Sequence, residues 1–161
     1  MRVVRVNSRR EFEVDGEVEI GTFVRVGDLV AVSAEVFQQE DEISKYLSKG
    51  DVERIRAFLP DLAEPNVFTR FVVLMDSRSR APRTMPKVGD EVEIMDDAGV
   101  IEAHTSSGEL SVPYLPYLMR RDRELARIVV ERLSSLLPEY RDVLDIVLAE
   151  IEYSLLREVD L

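Results

Sequence analysis

No cysteine occurs in this 161-residue chain, which removes disulfides, thiolate nucleophiles and cysteine-ligated zinc or iron–sulfur sites from consideration. Histidine occurs once, as His104, so any imidazole-based acid–base scheme or metal site has to run through that residue. One imidazole does not make a histidine-rich metal centre. Long hydrophobic runs are missing as well: none approaches the roughly 18 residues of a membrane helix. The opening Met1-Arg2-Val3-Val4-Arg5-Val6 alternates charge and valine too early for a secretory leader, and the expected location is cytoplasmic. The seven glycines are scattered; none precedes Lys-Ser or Lys-Thr, and no two lie close enough for a dinucleotide fingerprint. The expectation is therefore no intrinsic nucleotide hydrolysis, no catalytic residues, no cofactor and no metal.

Lysine is scarce, with three (Lys45, Lys49 and Lys87) against 18 arginines, and the formal net charge is −11. Binding nucleic acid by bulk attraction needs concentrated cations, so any such contact here must be local. A negative field also favours a basic partner surface, although solubility alone accounts for an acidic composition. Few asparagines and glutamines and an arginine bias are compatible with a thermophilic source, and genomic base composition gives the same bias.

Apolar residues make up 45% of the chain and charged residues 33%, enough for a core and a wetted surface. From Arg2 to Phe37 the dominant period is two: Val4 and Val6, Phe12 and Val14, Val18 and Ile20, Val24 and Val26. Breaks at Asn7-Ser8, Asp15-Gly16, Gly21-Thr22 and Gly27-Asp28 are turn chemistry. Leu29 to Phe37 is apolar on both faces and reads as a strand covered on one side by a barrel and on the other by a helix. Helical spacing around Tyr46 and from Val52 to Leu59 predicts a helical insertion at 39–60. Strands are expected again at Thr69–Asp76, Glu91–Met95 and Val100–Ala103. After Pro113 and Pro116, Leu118, Leu125, Ile128, Val129, Leu133 and Leu136, then Tyr140, Leu144, Val147, Ile151 and Leu155, recur at three and four across a break at Pro138. The expected fold is α+β: a small antiparallel β-barrel at 1–112 with the helical insertion, and a C-terminal α-helical hairpin at 113–161.

Four features carry candidate chemistry. Arg78, Arg80, Arg83 and Lys87 form a local basic loop in an acidic protein, suited to phosphates or to an acidic partner surface. No aromatic residue is interleaved between Arg78 and Lys87, so base stacking is not indicated. The hairpin stripe through Leu125, Val129, Leu144, Ile151 and Leu155 either packs on the barrel or forms a dimer or docking face. His104 beside Thr105, Ser106 and Ser107 reads as a strand end, because adjacent residues of an extended chain point to opposite faces. Glu40-Asp41-Glu42 and Asp96-Asp97 read as a helix N-terminal turn and as a hairpin turn with Ala98-Gly99.

The turn and strand Val24-Arg25-Val26-Gly27-Asp28-Leu29-Val30-Ala31-Val32, the acidic insertion with Val52-Glu53-Arg54-Ile55-Arg56-Ala57-Phe58, the strand Phe71–Met75 and the proline-bearing loop before Val88-Gly89-Asp90-Glu91-Val92 follow one another in an order with a known parallel. Over roughly 2–112 this order resembles the N-terminal barrel of archaeal HerA-type DNA-translocating ATPases, which is similar to one in ATP synthase subunits. The resemblance implies a barrel that sits on an ATPase ring and contacts the partner nuclease NurA in DNA-end processing. Between Pro116 and Ala126, where that family's ATPase core begins, no phosphate loop is present, and no catalytic residue is carried over. The resulting expectation is a non-catalytic protein-interaction module, an accessory factor of a HerA-type ATPase and nuclease system in DNA repair. Its partner would be the ATPase, the nuclease or a second copy, with no membrane involved. The alternative is direct nucleic-acid binding through the loop at 78–87.

Overall fold

The computed structural model describes residues 1–39 and 66–159. Six strands, β1 (Val3–Ser8), β2 (Glu11–Asp15), β3 (Phe23–Val26), β4 (Leu29–Gln39), β5 (Asn66–Asp76) and β6 (Glu93–Ile94), form one antiparallel sheet in the order β1-β2-β5-β4-β3-β6. Among the described residues four α-helices follow: α1 (Asp97–Thr105), α2 (Leu115–Arg121), α3 (Arg123–Leu136) and α4 (Arg141–Val159), with a 3-10 turn at Pro138–Tyr140 before α4. The α+β class expected from the sequence is observed. The closed barrel is not: among the described residues the ladder ends at β1 and β6, and its edges are joined by an isolated bridge between Arg2 and Glu91, by a hydrogen bond from the Arg2 guanidinium to Gly89 O (2.9 Å) and by single backbone hydrogen bonds. In these, Val3 N donates to Asp90 O (2.9 Å), Gly89 N to Val3 O (2.8 Å) and Val92 N to Met1 O (2.7 Å). Apart from Gln39, which ends β4, the insertion expected at 39–60 lies outside the described residues.

Both faces of the central strands are buried, for the reason the Leu29–Phe37 composition implies. On one face Phe12, Val14, Val24, Val26, Leu29, Ala31, Phe71 and Val73 pack with Val3, Val18 and Val92. Phe12 and Phe71 are register partners there, their rings stacked at 5.1 Å. On the other face Phe23, Val30, Val32, Val72, Leu74 and Met75 meet the helices. Burying each such side chain is worth about 1.5–3 kcal/mol. A register shift between Val30 and Ala31 lets the adjacent Leu74 and Met75 both be buried on the helix side.

Register is also written in charge. Arg5 lies opposite Glu13, Glu13 opposite Arg70, and Arg70 opposite Glu35, so signs alternate across β1, β2, β5 and β4. Arg5 Nη1 is 3.7 Å from Glu13 Oε1, and Arg70 Nη1 is 2.8 Å from Glu35 Oε2.

Three local expectations are corrected. In β1 it is Val3 that is buried and Val4 that is exposed, because register shifts flank Arg5 and Val6 and break the period of two. Val18 and Ile20 are not in a strand: Val18 N donates to the Thr69 hydroxyl (2.9 Å) as the chain leaves β2 and crosses to β3. Val100–Ala103 is helical, because the Asp96 carboxylate caps α1 by accepting from Gly99 N at 2.7 Å. The Asp96-Asp97 pair is thus a helix start, not a hairpin turn.

The C-terminal stretch holds α2 ahead of the α3–α4 hairpin. Asp122, with φ −158°, interrupts the pattern between Leu118 and Leu125, and its side chain caps α3 by accepting from Leu125 N (3.1 Å). Helix α3 lies on the sheet through Leu125, Ala126, Val129, Val130 and Leu133, and α4 packs on α3.

Candidate functional site

The basic residues singled out in the sequence occupy the connection between β5 and β6, and Arg78, Arg80, Arg83 and Lys87 are all exposed. The base of this loop is braced. Asp76 Oδ1 accepts from the amides of Arg78 and Arg80 (2.9 Å each), and Asp76 N donates to Arg80 O (2.9 Å). This folds Asp76–Arg80 into a tight turn that leaves Ser79 at φ +58°, a left-handed conformation costing about 1 kcal/mol for a residue other than glycine. The Ser79 hydroxyl donates to Ala103 O at the end of α1 (2.9 Å), and the Ser77 hydroxyl bonds the Asp28 carboxylate in the β3–β4 turn. At the far end Lys87 N donates to Asp90 Oδ2 (2.8 Å), and Pro86 is buried. Among the described residues none of the four cations forms an ion pair, whereas Arg5, Arg70, Arg121, Arg123 and Arg132 all do.

The hairpin stripe sits elsewhere. Leu125, Val129, Leu144 and Ile151 are buried in the chain's own core and Leu155 packs against it. The structure does not bring these residues together with the basic loop; Leu125, Val129, Leu144 and Ile151 face the sheet and each other instead of solvent, and Leu155 is half-buried at the edge of a cleft.

His104 is wholly buried at the end of α1, not at a strand end. Its Nδ1 lies 2.7 Å from Val100 O, and since a carbonyl only accepts, the proton sits on Nδ1. Nε2 is then the acceptor for the Tyr114 hydroxyl at 2.7 Å. Phe23 packs edge-on against the ring. Burial holds the imidazole below its usual pKa, partly offset by the Val100 carbonyl, and pushes the Tyr114 hydroxyl well up. Both ring nitrogens are occupied by the chain itself, so neither faces a substrate. Thr105 is likewise turned inward on its helix, its hydroxyl donating to Ile101 O (2.7 Å).

Glu40-Asp41-Glu42 lies outside the described residues. Among the described residues no group of three or more His, Asp and Glu side chains is placed to hold a metal ion, and no helix is long and apolar enough to cross a membrane. A cleft at the α2–α3 junction is lined by Met119, Arg120, Arg123, Leu155 and Glu158 among others, and Arg123 there is already paired with Glu158.

Two features escaped the sequence reading. Asp76 braces the basic loop, a role signalled only by an acidic residue directly before Ser-Arg-Ser-Arg. Helix α4 also carries exposed apolar side chains, Val143, Ile146, Tyr153 and Leu156, visible in the sequence as a second set of apolar positions offset from the buried stripe. No protein-family model and no curated protein matches this chain.

Proposed function

We propose that this chain is a non-catalytic protein-interaction module, with the braced loop at Arg78–Lys87 as its contact surface. The observation that carries the reading is that four exposed cations, none of them in an ion pair among the described residues, cluster on the β5–β6 loop of a protein of net charge −11, with Arg78 and Arg80 on a hydrogen-bonded turn at one end and Lys87 N bonded to Asp90 at the other. Cations carried on backbone that is already ordered are poised for an external acidic group, with less backbone entropy left to lose on contact. The reading of the chain as no enzyme is supported by the burial of its only imidazole between Val100 and Tyr114.

The edge-to-edge hydrogen bonds between Met1–Val3 and Gly89–Val92 support a finer reading, in which the sheet is a small barrel related to the N-terminal barrel of HerA-type ATPases. On that reading the partner is the ATPase or its nuclease in DNA-end processing, inside a cell. The test is capture of a purified HerA-type ATPase and a NurA-type nuclease by the purified chain at physiological salt, beside the Arg80→Glu/Arg83→Glu variant. Capture lost in the variant is the expected result; no capture by either chain removes the ATPase-associated reading.

The same exposed cations favour one second reading, direct contact with nucleic-acid phosphates. Its signature is affinity for DNA or RNA that falls steeply with salt and is lost on the same double charge reversal. Absence of binding to both at low salt eliminates it.

A further inference from the structure

Helix α4 is apolar on two opposite faces. Leu144, Leu148, Ile151 and Leu155, spaced four, three and four, belong to the core shared with α3. At 3.6 residues per turn, Ile146, Ala149, Tyr153 and Leu156 fall on the far side of the helix, spaced three, four and three. Ile146 is 67% exposed, Tyr153 61% and Leu156 64%, with Val143 at 55% beside them. A helix resting on one neighbour normally turns a polar face outward, and apolarity on both sides is the mark of a helix covered on both sides. Together the exposed side chains make a patch on the order of a few hundred Å², the size at which apolar surface on a soluble protein marks a contact site. The three-four-three spacing is the seam of a helix-to-helix contact.

The charges beside the seam decide what covers it. Glu150 and Arg157 flank it on one side and Glu152 on the other, with Asp145 beside Glu152 accepting from the Ser134 hydroxyl of α3 (2.9 Å), and all four residues are exposed. An antiparallel pairing of two copies that stacks Ile146 on Leu156 and Ala149 on Tyr153 places Glu150 against Glu150 and Glu152 against Glu152. A parallel pairing sets Asp145 against Glu150 and offsets it with Glu152 against Arg157, so neither arrangement of two copies gains from charge. Like charges across an interface disfavour a partner, and each copy carries a net charge of −11. We propose that the outer face of α4 docks an amphipathic helix of another protein, with apolar residues along its seam and lysine or arginine beside them. This deepens the interaction-module reading and rests on it, but names a surface separate from the basic loop.

The test uses the full chain and two synthetic helical peptides of equal length with the same leucine seam, one flanked by lysine and one by glutamate, followed by fluorescence anisotropy. A scrambled peptide of the lysine-flanked composition controls for charge alone. The expected result is binding of the lysine-flanked peptide, with the glutamate-flanked and scrambled peptides weaker by about tenfold or more. Ile146→Asp/Tyr153→Asp should abolish that binding. Glu150→Lys/Glu152→Lys should shift preference toward the glutamate-flanked peptide, and this variant decides the matter if the apolar substitutions fail to fold by circular dichroism. Equal binding of all three peptides overturns the proposal, as does binding that survives loss of the seam. So does a dimer in analytical ultracentrifugation that the seam variant dissolves, since the occupant is then a second copy. Loss of peptide binding with loop-dependent capture intact removes the α4 surface alone and leaves the module reading standing.

Discussion

The Tyr114 hydroxyl donates to His104 Nε2 across 2.7 Å inside the core, tying the segment before α2 to the last turn of α1. Both residues are almost fully buried, so each polar group depends on the other for its hydrogen bond. Tyr114→Phe leaves Nε2 without a donor and should cost about 1–3 kcal/mol. His104→Leu strands the Tyr114 hydroxyl and should cost a similar amount, while the double variant should lose less than the sum. Urea unfolding of the four proteins measures the coupling; strict additivity would show that the pair is not a unit.

Protonating His104 ends the donation from Tyr114, because a protonated Nε2 donates and no longer accepts. Its pKa in the fold is lowered, chiefly by burial. In the unfolded chain the imidazole takes up a proton near pH 6.5. The unfolded state therefore binds more protons below that pH, so stability is full above about pH 6.5 and falls as pH drops toward the folded value, by up to about 1.4 kcal/mol per pH unit. Denaturation midpoints across this window should show the slope in the native chain and lose that component in His104→Gln.

The parts legible in the sequence were those set by local periodicity. Phe12 with Val14, and Val24 with Val26, alternate onto one face of the sheet as their spacing implies, and the two-residue turn at Gly27-Asp28 joins register partners Val26 and Leu29. What the pattern could not convey came from side chains acting on backbone or across distance. Val100-Ile101 carries strand-like β-branching, yet a cap from Asp96 makes it helix. The register shifts around Arg5 and Val6 reverse the parity of β1. The basic loop was legible as composition, whereas its rigidity depends on Asp76 amide contacts that composition does not encode.

That rigidity is open to test. Asp76→Ala removes the acceptor shared by the amides of Arg78 and Arg80 and should cost about 1–2 kcal/mol. It should also weaken partner or phosphate binding without removing a cation. Arg80→Glu/Arg83→Glu should instead leave stability within about 0.5 kcal/mol while abolishing binding. Thermal melts paired with a binding titration separate the two effects.

Across the sheet, Glu13 is the buried member of the alternating row, 2% exposed between register partners Arg5 and Arg70. Glu13→Lys sets three cations in line and buries one of them without a counter-charge. The expected loss is about 3 kcal/mol or more. Arg5→Ala, on an exposed side chain 3.7 Å away, should cost no more than about 1 kcal/mol. Similar losses for the two variants, measured by chemical denaturation, would show that burial of Glu13 is not what makes the row costly to break.

The chain between β2 and β3 passes close to α3 at Gly21. A side chain there would place its Cβ 2.6 Å from Ile128 Cγ2, and Gly21 also has φ +88°. Gly21 N donates to Ser33 O (2.9 Å), and the Arg132 guanidinium donates to Gly21 O (3.2 Å), so the backbone is held from both the sheet and the helix and cannot easily retreat. Gly21→Ala therefore meets two penalties, the left-handed backbone and the clash, together about 2–4 kcal/mol. Ile128→Ala should recover the clash but not the backbone penalty, so the double variant should be more stable than the sum of the single losses implies. A double-mutant cycle by thermal and urea unfolding checks this, and no recovery would mean that α3 can shift away from the β2–β3 connection.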